Sequence, residues 1–127
     1  MIHLKEVTIY EPTTNRAESI GEGTKIGAFC DIGSGVVIGR NCNIQCHVSI
    51  PNDVRIGNGV FIGPGVRIFN DRYMNGLIQP PEIGDKCRIG GSTRILPGVK
   101  VGVNCFIWAG SMITKDVPDG MEVKGKW

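Results

Sequence analysis

Residues 20–68 read IGEGTKIGAFCDIGSGVVIGRNCNIQCHVSIPNDVRIGNGVFIGPGVRI, and isoleucine returns at every sixth position of this segment. After one interruption the spacing resumes at Ile83 and continues to Ile113, with Val101 at one of its positions. The residue after each isoleucine is usually glycine, and the fourth residue after it is small or β-branched. A spacing of six matches neither the 3.6-residue period of a helix nor a long plain strand. It predicts a short strand followed by a tight corner, repeated along the chain.

The repeat predicts an all-β solenoid. Each isoleucine of the repeat, with the small residue four positions later, is expected to point into a shared interior, and the glycine serves either a corner or a close backbone approach. Three such segments close a triangular coil, and successive coils stack about 4.8 Å apart through parallel-sheet hydrogen bonds. The fifteen repeats therefore predict five coils. An aromatic content of only 6% agrees with a core built from isoleucine and valine.

The spacing also divides the chain. Residues 1–19 break it and are predicted to form an N-terminal cap with a short strand at 7–10, because solenoid ends need covers. The repeat then spans 20–118, and 119–127 form a C-terminal tail. Fifteen residues instead of six separate the starts of two repeats in the interruption, so 74–82 are predicted to project as a loop. Such loops often carry binding chemistry, although a surface insertion without function is the alternative.

Composition excludes several function classes. The 127-residue chain carries a formal charge of +2, which is too weak a balance to indicate nucleic-acid binding. We expect a cytoplasmic protein, since no apolar run could span a bilayer and no secretory signal precedes the repeat.

Cys46 lies outside the small interior position, and free thiols are predicted rather than disulfides or a metal site. The cysteines at the interior position are Cys30, Cys42, Cys87 and Cys105.

Two segments of the repeat carry a more specific likeness: residues 62–73, IGPGVRIFNDRY, and residues 107–118, IWAGSMITKDVP. The repeat resembles the hexapeptide repeat of the acyltransferase superfamily, which folds as a left-handed β-helix. The first segment is similar to the one before the loop in bacterial nucleotide-sugar N-acetyltransferases, and the second to the motif along acetyl-CoA in the same group. The resemblance implies an acetyl-CoA-dependent transfer to an amino sugar in surface polysaccharide synthesis. It also implies a homotrimer with active sites between neighbouring prisms.

The same resemblance implies residues on the acceptor side of the site. Asn70 matches an asparagine that positions the acceptor amine at the thioester. Asp71, Arg72 and Tyr73 fall where the sugar nucleotide would approach. Pro64 departs from the pattern, because many relatives carry a histidine at this place, so no base is implied there.

On the donor side, Ala109, Gly110 and Ser111 match the backbone strip beside the pantetheine, and Lys115 matches a position near the phosphates. Trp108 follows its isoleucine where glycine is usual, so its ring is expected to face outward. Stacking on the cofactor and burial at a trimer contact are both open for this ring.

His47 is the histidine inside the repeat, and an imidazole suits general-base work near neutral pH. One coil places it a rung below Gly65, whereas Asn70 lies around the next corner. A base role and a plain corner position therefore both stay open. A base is not required, because an amino sugar is partly neutral at pH 7 and the departing thiolate accepts the proton. Alignment of the amine by Asn70 would then contribute more to the rate of transfer than proton abstraction does.

The same fold also carries other activities, and the residues present bear on each of them. Zinc carbonic anhydrases need three histidines at the metal and the chain has two, so no metal is expected. An O-acyltransferase is one alternative to the N-acetyltransferase, because no residue separates the two acceptors. A non-catalytic scaffold or assembly protein is another, although the projecting loop argues against it.

Overall fold

The structure, a computed structural model, describes residues 6–127. These residues form eighteen strands of two residues each and contain no helix. As far as β17 every third strand joins the same parallel sheet, and β18 pairs with β16, so sheets A, B and C are the faces of a triangular prism. Sheet A contains β1 (Thr8–Ile9), β4 (Lys25–Ile26), β7 (Asn43–Ile44), β10 (Phe61–Ile62), β13 (Arg88–Ile89), β16 (Phe106–Ile107) and β18 (Glu122–Val123). Sheet B contains β2 (Thr14–Asn15), β5 (Asp31–Ile32), β8 (Ser49–Ile50), β11 (Arg67–Ile68), β14 (Arg94–Ile95) and β17 (Met112–Ile113). Sheet C contains β3 (Ser19–Ile20), β6 (Val37–Ile38), β9 (Arg55–Ile56), β12 (Glu82–Ile83) and β15 (Lys100–Val101).

The core is the predicted column of aliphatic side chains. In the central coils the second residue of each strand points inward, and Ile62 and Ile95 are fully buried. The small residue four positions later is also buried, as at Val66 and Val99. The first residue of each strand faces outward. The predicted fold, a left-handed parallel β-helix, is confirmed.

The number of coils differs from the prediction. The eighteen strands make about six turns rather than five. The additional strands lie in segments without the six-residue spacing, at Thr8–Ile9, Thr14–Asn15 and Glu122–Val123. Parallel pairing uses backbone groups, so these segments join the sheets without the isoleucine pattern. The division into cap, repeat and tail stays a prediction, and residues 1–5 of the cap lie outside the described residues.

The backbone assigns separate roles to two positions of each repeat. A Cβ at Gly90, directly after its isoleucine, would overlap the backbone nitrogen of Ala109 in the next coil, so this glycine permits close stacking. The left-handed corner conformation lies two residues further on. It is adopted by Gly65 with φ +74° and also by His47 with φ +59°.

Three edges join the faces, and each is named here by the sheets it connects. The A–B edge contains 27–30, 45–48, 63–66, 90–93 and 108–111, and the B–C edge contains 33–36, 51–54, 69–81, 96–99 and 114–117. The irregular segment of the B–C edge is the predicted projecting loop. Its end differs by one residue from the prediction, because Glu82 pairs with Arg55 as the first residue of β12. We call 69–81 the B–C loop.

The cysteines follow the prediction for interior thiols. All five are free, and Cys46 is exposed. The four at the small interior position are buried: Cys30, Cys42, Cys87 and Cys105.

Candidate functional site

The B–C loop is fastened at its base to the stack of corners. The amide of Gln79 donates to the carbonyl of Asn70 at 2.6 Å, and the amide of Gly98 donates to the carbonyl of Gln79 at 2.8 Å. The loop therefore continues the hydrogen-bonded edge where it leaves and rejoins the prism. Its tip exposes apolar side chains, among them Met74 and Leu77.

Asn70 lies half-buried at the start of the loop. Its side-chain Nδ2 donates to the carbonyl of Asn52 at 3.3 Å, one coil below. The residue lines a depression of about 330 Å³ on the B–C edge, together with Ser49, Asn52 and Ile78. A primary amide held in this way can accept a hydrogen bond from an amine through its oxygen.

Asp71 and Tyr73 have different environments within the loop. The two carboxylate oxygens of Asp71 accept the backbone amides of Asn75 and Gly76, at 3.1 and 2.9 Å. Asp71 thereby shapes the loop tip. The Tyr73 side chain is 71% exposed and is open to a ligand or to another chain.

Arg72 links the loop to two later coils. Its Nη2 donates to the carbonyl of Pro97 at 2.9 Å and lies 3.5 Å from the carbonyl of Thr114. Lys115 lies beside it, and both line a depression of about 200 Å³. The Lys115 ammonium also lies 4.6 Å from the ring centroid of Trp127. The structure thus groups Lys115 with the acceptor-side residues.

The predicted donor strip lies on the A–B edge. Ala109 and Gly110 are exposed at the corner, whereas the buried Ser111 hydroxyl donates to the carbonyl of Trp108 at 2.6 Å and accepts the Gly125 amide at 3.2 Å. The Ser111 side chain therefore holds the last coils together, and only the backbone of this residue is left to contact a ligand.

Trp108 presents its ring on the outside of the prism, as expected. The ring is 45% exposed and meets Phe106 edge-on, with 5.3 Å between centroids. Its Nε1 donates to Oε1 of Glu122 at 2.8 Å. With Phe61 and Arg88 the two rings line an apolar groove of about 290 Å³ on face A.

His47 also lies on the A–B edge, at an exposed corner. The amide of Gly65 donates to the carbonyl of Cys46 at 3.1 Å, so His47 lies one rung below Gly65 as predicted. Its ring stacks on Phe29, with 5.1 Å between centroids and 10° between planes. Asn70 lies on the other side of face B, so one chain does not bring the two residues together.

The candidate residues therefore form two groups on two edges. Face B lies between the groups, and its outward residues include Arg67 and Arg94, which the sequence analysis did not single out. Their position in the sequence could have indicated them, because the residue before each isoleucine of the repeat faces outward. Residues 6–127 contain no group of three His, Cys, Asp or Glu side chains able to hold a metal. The same residues contain no helix that could cross a membrane.

Comparison with known proteins gives relatives with the same repeat. The chain is 42% identical over 55 residues to 2,3,4,5-tetrahydropyridine-2,6-dicarboxylate N-acetyltransferase of Staphylococcus aureus (strain JH9), a match that covers 39% of this chain and 23% of that protein. The acetyltransferase domain of PglB from Neisseria gonorrhoeae FA1090 matches with a TM-score of 0.85 and 26% identity over 96% of this chain and 56% of that one. That domain has also been solved in complex with acetyl coenzyme A.

A third similarity shows the fold alone. AntD, an N-acyltransferase from Bacillus cereus, was solved as a mutant in complex with dTDP and coenzyme A. It matches with a TM-score of 0.77 and 21% identity, over 95% of this chain and 74% of that one.

The extent of these matches differs between the relatives and the family. The chain spans about a quarter of the length of the curated relatives it matches. The model of the bacterial transferase hexapeptide family, described as six repeats, matches residues 19–52 and 80–115, which are more than half of the chain. The unmatched interval, 53–79, contains most of the B–C loop, where the six-residue spacing is interrupted. The chain belongs to the bacterial transferase hexapeptide family.

Proposed function

We propose that this chain is an acetyl-CoA-dependent N-acetyltransferase that acts on an amino sugar linked to a nucleotide. The family supports a transferase, and the acetyltransferase domain of PglB supports the acetyl donor. The ligands of AntD, dTDP and coenzyme A, agree with a nucleotide-linked acceptor. We place the reaction in cytoplasmic synthesis of surface polysaccharide.

The observation that carries this proposal is the position of Asn70. It is held by Asn52 at the base of the one loop that interrupts the solenoid within residues 6–127. The amide is half-buried beside an open depression, so a small polar group can reach it. Arg72 and Lys115 supply positive charge on the same edge for an anionic substrate.

The proposed reaction needs alignment more than proton abstraction. The Asn70 amide oxygen accepts a hydrogen bond from the amine and directs the nitrogen lone pair at the thioester carbonyl. The nitrogen–carbon bond forms and the carbon–sulfur bond breaks. The proton lost by the amine passes to the departing sulfur, so the products are an N-acetyl sugar and coenzyme A. His47, if a neighbouring chain presents it, acts as an alternative proton acceptor.

The proposed oligomer is a homotrimer with its sites between neighbouring prisms. The donor strip at Ala109 and Gly110 and the acceptor group at Asn70 border the same face B. A cleft with face B as one wall lets one ligand pair touch both edges. A second chain would form the opposite wall and exclude water from the thioester.

The test is release of coenzyme A from acetyl-CoA with a panel of nucleotide-linked amino sugars. Asn70→Ala is expected to lower turnover by about tenfold or more, because misaligned reactants lose the advantage of proximity. Asn43→Ala is the matched control, since the side chain of this exposed asparagine accepts one hydrogen bond, from the nearby Gln45 side chain. Full activity of Asn70→Ala would remove the residue from the mechanism, and no release with any amino sugar would contradict the function. Full activity of His47→Asn at neutral pH would exclude a base role for His47.

A second acceptor class is an amino or imino dicarboxylate. The local 42% identity to the tetrahydropyridine dicarboxylate N-acetyltransferase favours it. Adding such acceptors, and hydroxyl analogues of each sugar, to the panel separates these classes from the amino sugars. The scaffold alternative predicts no change in the thermal midpoint when acetyl-CoA is added.

A further inference from the structure

Arg67 and Arg94 occupy neighbouring rungs on the outside of face B. They are directly paired as the first residues of β11 and β14, so their backbones lie about 4.8 Å apart. Both side chains are exposed. Like charges directly opposite one another in a sheet repel, so this pair opposes folding unless an anion joins it.

Within the described residues, no carboxylate forms an ion pair with either arginine. The neighbours of the two arginines along face B are Ser49 and Met112. The one ion pair within residues 6–127 joins Arg16 and Asp31, at 3.8 Å near the other end of this face.

Two acidic side chains of the adjoining B–C edge, Asp71 and Asp116, accept hydrogen bonds from backbone amides. Both oxygens of Asp71 accept loop amides, and Oδ1 of Asp116 accepts the backbone amide of Lys100 at 2.8 Å. Face B therefore presents two guanidinium groups without an acidic neighbour.

An arginine on face C has the opposite environment. Arg55 is also exposed and is also the first residue of its strand, but its neighbours on the ladder are Val37 and Glu82. Glu82 is in turn followed by Lys100, so the charges of face C alternate. The adjacent cations of face B thus differ from the arrangement that the same fold uses elsewhere.

The pair lies between the two groups of candidate residues. The B–C edge with Asn70 flanks it on one side, and the A–B edge flanks it on the other. The A–B corners that lead into the two arginines have small residues, Gly65 and Ser92, at the corner position, so the guanidinium groups stand above a low surface. An extended ligand can cross this surface from one edge to the other.

We propose that Arg67 and Arg94 form a binding site for the diphosphate group of a substrate. Two planar guanidinium forks on adjacent rungs match two linked phosphoryl groups, each able to accept paired hydrogen bonds. Coenzyme A and a nucleotide-linked sugar both contain a diphosphate, so this site could bind that group of either the donor or the acceptor. This inference rests on the proposed function for the identity of the substrate, although anion binding can be measured without it.

The experiment is calorimetric titration of the full chain with inorganic pyrophosphate. We expect the Arg67→Ala/Arg94→Ala double variant to bind at least about tenfold more weakly than the unaltered chain, because each lost contact is a charge-assisted hydrogen bond. Arg55→Ala, the matched control, is expected to bind like the unaltered chain. The affinity of the unaltered chain for pyrophosphate is also expected to fall with added salt.

A second variant tests the same site with side chains already present on this ladder. The Arg67→Ser/Arg94→Met variant places at each position the residue found on the adjacent rung, Ser49 or Met112. It is used if the alanine variant does not fold. Titration with coenzyme A and with dTDP then distinguishes the two sources of diphosphate. A loss confined to coenzyme A assigns the site to the donor, and a loss confined to dTDP assigns it to the acceptor.

Two results would overturn the site. One is an unaltered chain that does not bind pyrophosphate. The other is a double variant that binds pyrophosphate, coenzyme A and dTDP as tightly as Arg55→Ala does. Arginine-dependent binding without acetyl transfer would reject the proposed function and keep the site. Acetyl transfer with unchanged KM for both substrates in the double variant would reject the site and keep the function.

Discussion

At the scale of single residues, most corners contain one position with positive φ, and several of these positions are not glycine. Phe29, His47 and Ser92 adopt φ values of 60°, 59° and 59° at three levels of the A–B edge. A left-handed conformation costs such residues about 1–2 kcal/mol, and the stacked coils supply the stabilisation. The corner thereby turns these side chains outward, which is why His47 and Phe29 can stack.

Buried thiols lead to a prediction about alkaline stability. Burial raises the pKa of the Cys87 thiol from its ordinary value of 9.0 to about 12. The folded chain holds this proton more tightly than the unfolded chain, so stability is full below about pH 9 and declines as pH rises toward about 12. We expect Cys87→Val to reduce this decline, measured as the thermal midpoint from about pH 8 to about pH 11.

The substitution suits the site, because Val60 occupies the equivalent position on the adjacent rung. The decline is expected to diminish without disappearing, since burial also raises the pKa of the Cys30 and Cys42 thiols. Cys46→Ser is the control, because this thiol is exposed. Identical pH profiles for Cys87→Val and the unaltered chain would refute the assignment.

At the scale of elements, the B–C loop depends on a few polar contacts rather than on the core. Asp71 organises its tip, the Asn70 carbonyl fastens its end, and Arg72 connects it to the coils above. Its exposed side chains include Tyr73 and Leu77. Elements with few buried contacts open at low free-energy cost, so the loop can move while the prism stays rigid.

Removing the Arg72 contact is expected to loosen the loop selectively. Arg72→Ala should speed chymotryptic cleavage within 69–81 by roughly three- to tenfold, because an exposed charged hydrogen bond contributes about 1 kcal/mol. The thermal midpoint should change little, since the loop adds little to the core. Arg40→Ala, an exposed arginine on the third edge, is the control. An unchanged cleavage rate would mean that the Pro97 and Thr114 carbonyls do not hold the loop.

At the scale of the whole molecule, the strands of each coil contact only those of the neighbouring coils, so the prism is a stiff one-dimensional stack. Its three faces carry different surfaces. Face A has an apolar groove at Phe61, Phe106 and Trp108, whereas face B carries paired arginines and face C alternating charges. A single chain exposes all three faces and separates its candidate residues.

The proposed trimer gives a prediction at this scale. Sedimentation of the purified chain is expected to give three times the 13.7 kDa mass of one chain. Burial of the face A aromatic side chains is one source of the association energy, at about 25 cal/mol per Å². A mass of one chain at the concentration used for the transfer assay would contradict a site shared between subunits.

Much of the fold could be predicted from the sequence, because spacing and burial are directly linked in a solenoid. The column from Ile26 to Ile113, the buried cysteines and the interruption before Ile83 all follow from one six-residue pattern. A short strand at 7–10 is predicted, but the pairing of the terminal strands Thr8–Ile9 and Glu122–Val123 into sheet A could not be predicted in the same way. Their pairing depends on backbone hydrogen bonds to an existing coil, which leave no side-chain signature.

The candidate residues illustrate the same division. Their identities come from the sequence, and the coil length already places His47 and Asn70 at different corners. Only the tertiary structure shows that Lys115, predicted on the donor side, shares an edge with Asn70. The pairing of Arg67 with Arg94 is equally tertiary, because the inserted loop places them 27 residues apart in sequence and one rung apart in space. A repeating pattern specifies which side chains point inward. The outward side chains become neighbours only when the chain winds, so the working surface is a property of the coil stack.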